Sequence, residues 1–212
     1  MTDFITLAVL AVVGYRLVTG LRISRSRAGR RLALDVVRRI RWRHVWPVPF
    51  LLTVVIVAAT QVMRIPGLDW GWWSALGGDG NPVFGSSATT TGTSWEWIVP
   101  LLFMCLLIPA LPLFAHAEER IFRAGAEEWS RRRRALKVAQ FGLVHCIVGI
   151  PIGVALSLSL GGMYFMWVYL RQYRTVGSRT DATIESAAAH TAYNGLIVVL
   201  VLFALLAEAL GW

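Results

Sequence analysis

The chain has 212 residues, of which 56% are hydrophobic and 16% are charged, with a formal net charge of +9. Soluble domains are typically about 45–50% apolar and about 25% charged, so this composition argues against a soluble protein. Long apolar runs also exclude a disordered chain, and arginines clustered between such runs are typical of cytoplasmic membrane loops, not of a nucleic-acid-binding surface.

Six apolar runs have the length of a membrane-spanning helix, about 17 to 25 residues. In chain order they cover residues 4–21, 45–63, 95–115, 137–156, 157–173 and 183–210. The sequence therefore predicts an all-α, multi-pass transmembrane helical bundle of about six spans. The fourth and fifth runs contain residues that can kink or break a helix, namely Pro151, Gly161 and Gly162.

Basic residues set the predicted orientation. Segments 22–44, 116–137 and 171–180 hold 19 of the 21 lysines and arginines, so we expect them in the cytoplasm and both termini outside the cell membrane. Segment 64–94 is rich in glycine, serine, threonine and tryptophan and is expected to form an extracytoplasmic loop. Its predicted interfacial aromatic belt consists of Trp70, Trp72, Trp73, Trp95 and Trp97.

The first cytoplasmic segment, 22–43, interleaves arginines with apolar residues such as Leu32, Val36 and Val37. This pattern predicts a basic helix that lies on the inner leaflet and attracts anionic lipids. Two histidines at predicted cytoplasmic interfaces, His44 and His116, are expected to be solvated.

Five polar residues lie where a bilayer disfavours them, and each is a candidate for function: Glu118, Glu119, His145, His190 and Asn194. At a rise of about 1.5 Å per residue, His145 and His190 are expected about 12 Å and about 10 Å below the cytoplasmic surface. Their similar depth predicts that both face one cavity open to the cytoplasm.

Helical spacing predicts which of these residues share a helix face. His190 and Asn194 are four apart and share one helix face, as do Glu119 and Arg123, which are expected to form an ion pair while Glu118 faces the cavity. A straight third span would carry the glutamates out of the membrane. Pro109 and Pro112 therefore predict a break or kink, with a new helix starting near residue 113.

Three motifs carry a resemblance to a known family. Glu118–Arg123 reads EExxxR, Phe141–His145 reads FxxxH and His190–Asn194 reads HxxxN. In this order beside membrane spans, they resemble the CPBP family of intramembrane proteases (CAAX protease and bacteriocin processing, also called Abi), which includes the type II CAAX prenyl endopeptidases. The resemblance covers residues 95–210, so residues 95–212 are expected to form the catalytic core and residues 1–94 the remaining two spans with their loops.

The resemblance implies a role for each motif residue. Glu118 and His145 would activate a water molecule, and His190 and Asn194 would stabilise the oxyanion. Glu119 and Arg123 would support them as an ion pair, together with Phe122 and Phe141. The implied reaction is hydrolysis of a peptide bond in a membrane-embedded or lipidated peptide, without a cofactor and without a serine or cysteine nucleophile.

Other interpretations remain open. The two histidines and a glutamate are also possible zinc ligands, although no HExxH motif is present. A non-catalytic scaffold or bacteriocin-immunity protein would keep the same fold, and a small transporter or channel would use the histidines as a proton relay. Cys146 is expected to point away from His145, and Glu127 and Glu128 are expected to pair with the arginines of 131–134.

Overall fold

A computed structural model describes residues 2–72 and 95–209, in which every regular element is helical and no strand occurs. The predicted all-α class is therefore confirmed for this part of the chain. The helices are α1 (Thr2–Arg25), α2 (Arg27–Arg39), α3 (Trp42–Val45), α4 (Val48–Val62), α5 (Trp95–Phe122), α6 (Arg131–Leu143), α7 (Ile152–Val176) and α8 (Arg179–Ala209). Two short 3-10 helices cover Ala126–Glu128 and Val144–Val148.

Four segments among the described residues are long and apolar enough to cross a membrane. They are Trp42–Val62, Pro100–Glu128, Ile152–Val176 and Arg179–Ala207. These segments indicate a membrane protein, but the count of six spans stays a prediction. α1 covers the predicted span 4–21, yet half of the side chains of that span lie outside the described residues, as does segment 73–94 of the predicted outer loop.

The predicted boundary between the fourth and fifth spans is wrong. Residues 137–156 do not form one helix, because α6 ends at Leu143 and α7 begins only at Ile152. Gly149 adopts a φ of +88°, which favours glycine, and Pro151 cannot continue the preceding helix. The loop after α4 then caps α7, since the Gly153 amide donates to the Leu68 carbonyl at 2.7 Å.

The predicted break at Pro109 and Pro112 is also wrong. α5 runs as one helix from Trp95 to Phe122 and contains both prolines. Membrane helices tolerate proline because neighbouring groups satisfy the freed backbone atoms. The two glutamates therefore lie in the last turns of a long helix, which packs against α8.

The basic helix predicted within segment 22–43 is present as α2, and part of its apolar face packs against α8. Val36 is fully buried against Ala187 and Ala188 of α8. Val37, on another face, is 46% exposed. The small alanines of α8 let α2 approach closely and bury Val36 within the protein, whereas the contact of α2 with the inner leaflet stays a prediction.

Several charged residues have partners other than those predicted. His44 is not solvated: it is 2% exposed, and its Nε2 lies 2.7 Å from Oε1 of Glu185. Glu127 and Glu128 form ion pairs with Arg179 instead of with the arginines of 131–134. His116 is partly buried.

These pairs bring the basic segments together at one end of the bundle. Arg39 of α2 binds Asp181 near the start of α8 at 2.7 Å, while the glutamates that follow α5 bind Arg179 in the same turn of α8. Contacts therefore cross the predicted division between residues 1–94 and 95–212. The candidate site lies on the inner faces of α5 and α8, near this basic end.

Candidate active site

Four helices supply the candidate site. The EExxxR motif ends α5, Phe141 lies in α6, and His145 lies in the 3-10 helix that follows α6. α8 contributes His190 and Asn194, one turn apart. α7 packs against both α6 and α8 and supplies the wall between them.

Glu119 is the centre of a buried hydrogen-bond network. Its side chain is 0% exposed and its Oε1 accepts hydrogen bonds from Arg123 Nη1 and from His190 Nδ1, each at 2.9 Å. Its Oε2 accepts a hydrogen bond from Ser186 Oγ at 2.5 Å. A buried carboxylate is tolerated only when it is paired and hydrogen-bonded, and Glu119 meets both conditions. The predicted ion pair with Arg123 is therefore present.

Arg123 is buried among aromatic rings. Its guanidinium lies 4.0 Å from the centroid of the Phe141 ring and 5.6 Å from that of Phe165, and its Nη2 lies 3.3 Å from the Gly162 carbonyl oxygen. Cation–π contacts of this kind stabilise a guanidinium that water cannot reach. Phe122 and Phe141 thus belong to the site by enclosing the ion pair.

His190 connects this network to Asn194. Because Nδ1 carries the proton that it donates to Glu119, Nε2 of the neutral imidazole is an acceptor, and Asn194 Nδ2 lies 3.0 Å from it. The Phe165 ring stacks on the imidazole at a centroid distance of 4.4 Å. The orientation of the Asn194 amide is therefore set by a chain of contacts that begins at Glu119.

Glu118 differs from Glu119 in its exposure and in its hydrogen-bond partners. Its side chain is 35% exposed, and its Oε2 is 3.8 Å from His190 Nε2, beyond hydrogen-bond distance. That oxygen has no hydrogen-bond partner among the described residues. Of the two adjacent glutamates, Glu119 is therefore fully paired, whereas Glu118 keeps one carboxylate oxygen without a hydrogen-bond partner.

His145 lies on the other side of Phe141. The Phe141 ring is 5.4 Å from the His145 ring and 5.4 Å from the His190 ring, so the predicted pair of histidines flanks one aromatic side chain. His145 Nδ1 lies 2.9 Å from the Phe141 carbonyl oxygen and donates to it. Its Nε2 is therefore an acceptor. Among the described residues no hydrogen bond joins His145 to Glu118.

Three residues that contribute to the site lie outside the predicted set. Ser186 precedes His190 by four residues, and this spacing on one helix face could have identified it. Phe165 and Gly162 lie on α7, which contributes to none of the three motifs. A side chain at Gly162 would place its Cβ 2.7 Å from Phe141, so close packing requires glycine at this position.

Two alternatives to the motif residues are a cysteine nucleophile and a metal site. Burial raises the pKa of the Cys146 thiol, which disfavours the thiolate that a cysteine nucleophile requires. Within residues 2–72 and 95–209, no group of three or more histidine, cysteine, aspartate or glutamate side chains is arranged to hold a metal ion.

Comparison of this chain with known proteins finds no match among family models, curated proteins or solved structures. Only the three motifs and the geometry of their residues point to a function: Glu118, Glu119, His145, His190 and Asn194.

Proposed function

We propose that this protein is an intramembrane endopeptidase of the CPBP type, which hydrolyses a peptide bond of a membrane-embedded or lipidated peptide. One observation carries the proposal. The Glu118 side chain, which is 35% exposed, lies beside a network in which Glu119, His190 and Asn194 are hydrogen-bonded to one another. This is the arrangement expected of a general base next to a preorganised polar site.

In the proposed first step, Glu118 removes a proton from a water molecule. Its Oε2 has no hydrogen-bond donor among the described residues, so no other group competes with the water for this oxygen. His145 assists by accepting the second hydrogen of the water at Nε2, because its Nδ1 is committed to the Phe141 carbonyl. The water oxygen then attacks the peptide carbonyl carbon and forms a tetrahedral intermediate.

Asn194 is the proposed oxyanion donor. Its amide has two N–H groups, one of which is used by His190, so the second is able to bond the negative oxygen of the intermediate. His190 would donate there as well only when both of its nitrogens are protonated. Loss of one such donor typically lowers the rate by about 10² to 10³.

Collapse of the intermediate completes the reaction. The carbon–nitrogen bond breaks, and Glu118 returns its proton to the departing amine. The products are a carboxylate and an amine, and the network around Glu119 keeps its hydrogen bonds throughout. No nucleophilic side chain and no cofactor are required.

The proposed location follows from the charges. The basic segments meet at the end of the bundle nearest Glu118 and Glu119, so the positive-inside rule assigns this end to the cytoplasm. Cleavage would then occur near the cytoplasmic face of the cell membrane, with both termini outside. Exposed arginines at that end would attract anionic lipids.

The test is cleavage of a quenched fluorogenic peptide library, with farnesylated members, by the purified full chain. We expect Glu118→Gln to lower cleavage at least about 10²-fold. Glu128→Gln is the matched control, because Glu128 is 70% exposed and lies outside the site. A melting temperature within a few degrees of wild type would show that Glu118→Gln is folded.

Two other results would replace this proposal. Loss of cleavage with a strong chelator and recovery with zinc would make the histidines metal ligands. The scaffold or bacteriocin-immunity interpretation would be favoured by a different result. In that case the wild-type protein cleaves no member of the library, and wild type and Glu118→Gln retain a native membrane partner equally well.

A further inference from the structure

A groove of about 500 Å³ opens at the basic end of the bundle between α3, the turn at Trp46 and Pro47, α7 and α8. Its lining includes none of the candidate catalytic residues. Its α3 and α8 wall carries Arg43, His44 and Glu185, and its α7 wall carries Arg171 and Gln172. We call it the Arg171 groove.

Glu185 is an incompletely satisfied carboxylate in the wall of this groove. Its side chain is 3% exposed, and its Oε1 accepts from Arg43 Nη2 at 2.5 Å and from His44 Nε2 at 2.7 Å. His44 Nδ1 accepts the Arg41 amide at 3.2 Å, which directs the Nε2 proton of the neutral imidazole toward Glu185. The other oxygen, Oε2, has no partner among the described residues. Buried carboxylate oxygens are normally hydrogen-bonded, so a donor from outside the described residues, a water molecule or a ligand, would complete this one.

The α7 wall of the groove contributes a positive charge. Arg171 is exposed, its guanidinium lies 5.3 Å from the Trp167 ring, and it forms no ion pair with any described residue. An arginine fork with a neighbouring glutamine amide suits the oxygens of a phosphate. A ligand that bridges the two walls therefore needs an anion at one end and a hydrogen-bond donor at the other.

The groove lies next to exposed tryptophans, which indicates that its ligand also has an apolar part. Trp46 and Trp167 line it and remain 52% and 53% exposed. They lie near the basic ends of two candidate spans, Trp42–Val62 and Ile152–Val176, at the level where tryptophan meets the membrane interface. A molecule seated here would have its headgroup in the groove and its hydrocarbon along these indole rings.

We propose that the Arg171 groove binds a phospholipid whose headgroup carries both a phosphate and a primary ammonium, a phosphatidylethanolamine. The phosphate bonds Arg171, and the ammonium donates to Oε2 of Glu185. A choline headgroup has no N–H to donate and leaves that oxygen without a partner. A volume of about 500 Å³ is in the range of pockets that enclose small ligands.

The test is native mass spectrometry of the full chain in detergent, titrated with phosphatidylethanolamine, phosphatidylcholine and phosphatidylglycerol of identical acyl chains. We expect phosphatidylethanolamine to bind about tenfold more tightly than phosphatidylcholine, as a charge-assisted hydrogen bond would give. Arg171→Gln should weaken phosphatidylethanolamine binding by a similar factor. Arg174→Gln is the control, because Arg174 is exposed on the same helix but does not line the groove.

Glu185→Gln should abolish the preference for phosphatidylethanolamine over phosphatidylcholine. Equal affinity of wild type for these two lipids would overturn the proposal, and Arg171→Gln still decides it if Glu185→Gln does not fold. Equal weakening by Arg171→Gln and Arg174→Gln would also overturn it, since that result indicates general charge attraction. Binding of soluble phosphoethanolamine as tight as that of the lipid would reject a membrane ligand.

Discussion

His190 donates a hydrogen bond from Nδ1 to Oε1 of Glu119 at 2.9 Å, across 71 residues of chain. The same oxygen accepts from Arg123. One buried carboxylate therefore both neutralises a guanidinium and fixes the tautomer of the imidazole that contacts Asn194. Changes to this network should affect stability and cleavage together, whereas changes to Glu118 should affect cleavage alone.

The ion pair can be tested by a double substitution. Glu119→Gln leaves the Arg123 guanidinium buried without its counter-charge, and we expect a loss of about 3–5 kcal/mol in unfolding free energy. Adding Arg123→Met should restore at least about half of this loss, because no unpaired charge is left. Cleavage should stay low, since His190 no longer meets a carboxylate. Denaturant unfolding in detergent measures the first effect, and additive losses would contradict it.

Ser186→Ala tests a residue that the motifs do not contain. It removes the donor to Glu119 Oε2 and should cost about 1–3 kcal/mol. Thr191→Val is the control, since Thr191 is buried on the same helix but bonds only the Ala187 carbonyl of its own helix. Thermal unfolding of the two variants should differ clearly. Equal melting temperatures would show that the Ser186 hydrogen bond contributes little.

Adjacent glycines of α7 should respond oppositely to alanine. At Gly162 the new Cβ would lie 2.7 Å from Phe141 and 3.2 Å from Arg123 Nη2, and we expect a loss of about 1–3 kcal/mol with reduced cleavage. At Gly161 the nearest atom is a Phe165 carbon at 3.8 Å, so alanine should stabilise the helix by up to about 1 kcal/mol. Both stabilities are read from unfolding curves, and a harmless Gly162→Ala would contradict the packing argument.

Adjacent valines of α2 test where this helix packs. Val36→Ala should cost about 1.5–3 kcal/mol because Val36 is fully buried against α8. Val37→Ala should change the stability by no more than about 0.5 kcal/mol, because Val37 is 46% exposed. Chemical denaturation of both variants decides the matter. Similar small effects would mean that α2 is held by the lipid surface and not by α8.

Local spacing predicted the features that lie within one helix. The Glu119–Arg123 pair and the Asn194–His190 contact both follow from residues four apart, and the structure contains both. Apolar length likewise predicted the four candidate spans, with shifted ends. These predictions needed no knowledge of how the helices pack.

Features that depend on packing between distant helices were not predictable in this way. His44 meets Glu185 across 141 residues, and no local signal distinguishes it from a solvated interfacial histidine. Hydropathy is also continuous across residues 137–173, so the break at Gly149 and Pro151 was placed too late. The prolines of α5 were misread because their effect in a membrane depends on neighbouring helices.

The position of Arg123 one turn after Glu119 has a consequence for biosynthesis. Each lone charge costs about 2.5–3.5 kcal/mol when a helix enters the bilayer centre from the translocon. Because Glu119 lies in the last turn of α5 and Arg123 directly follows its last residue, their pair can close while α8 is still being translated. The nascent chain would thus deliver a neutral dipole to the membrane, and His190 would join the carboxylate only when the last helix docks.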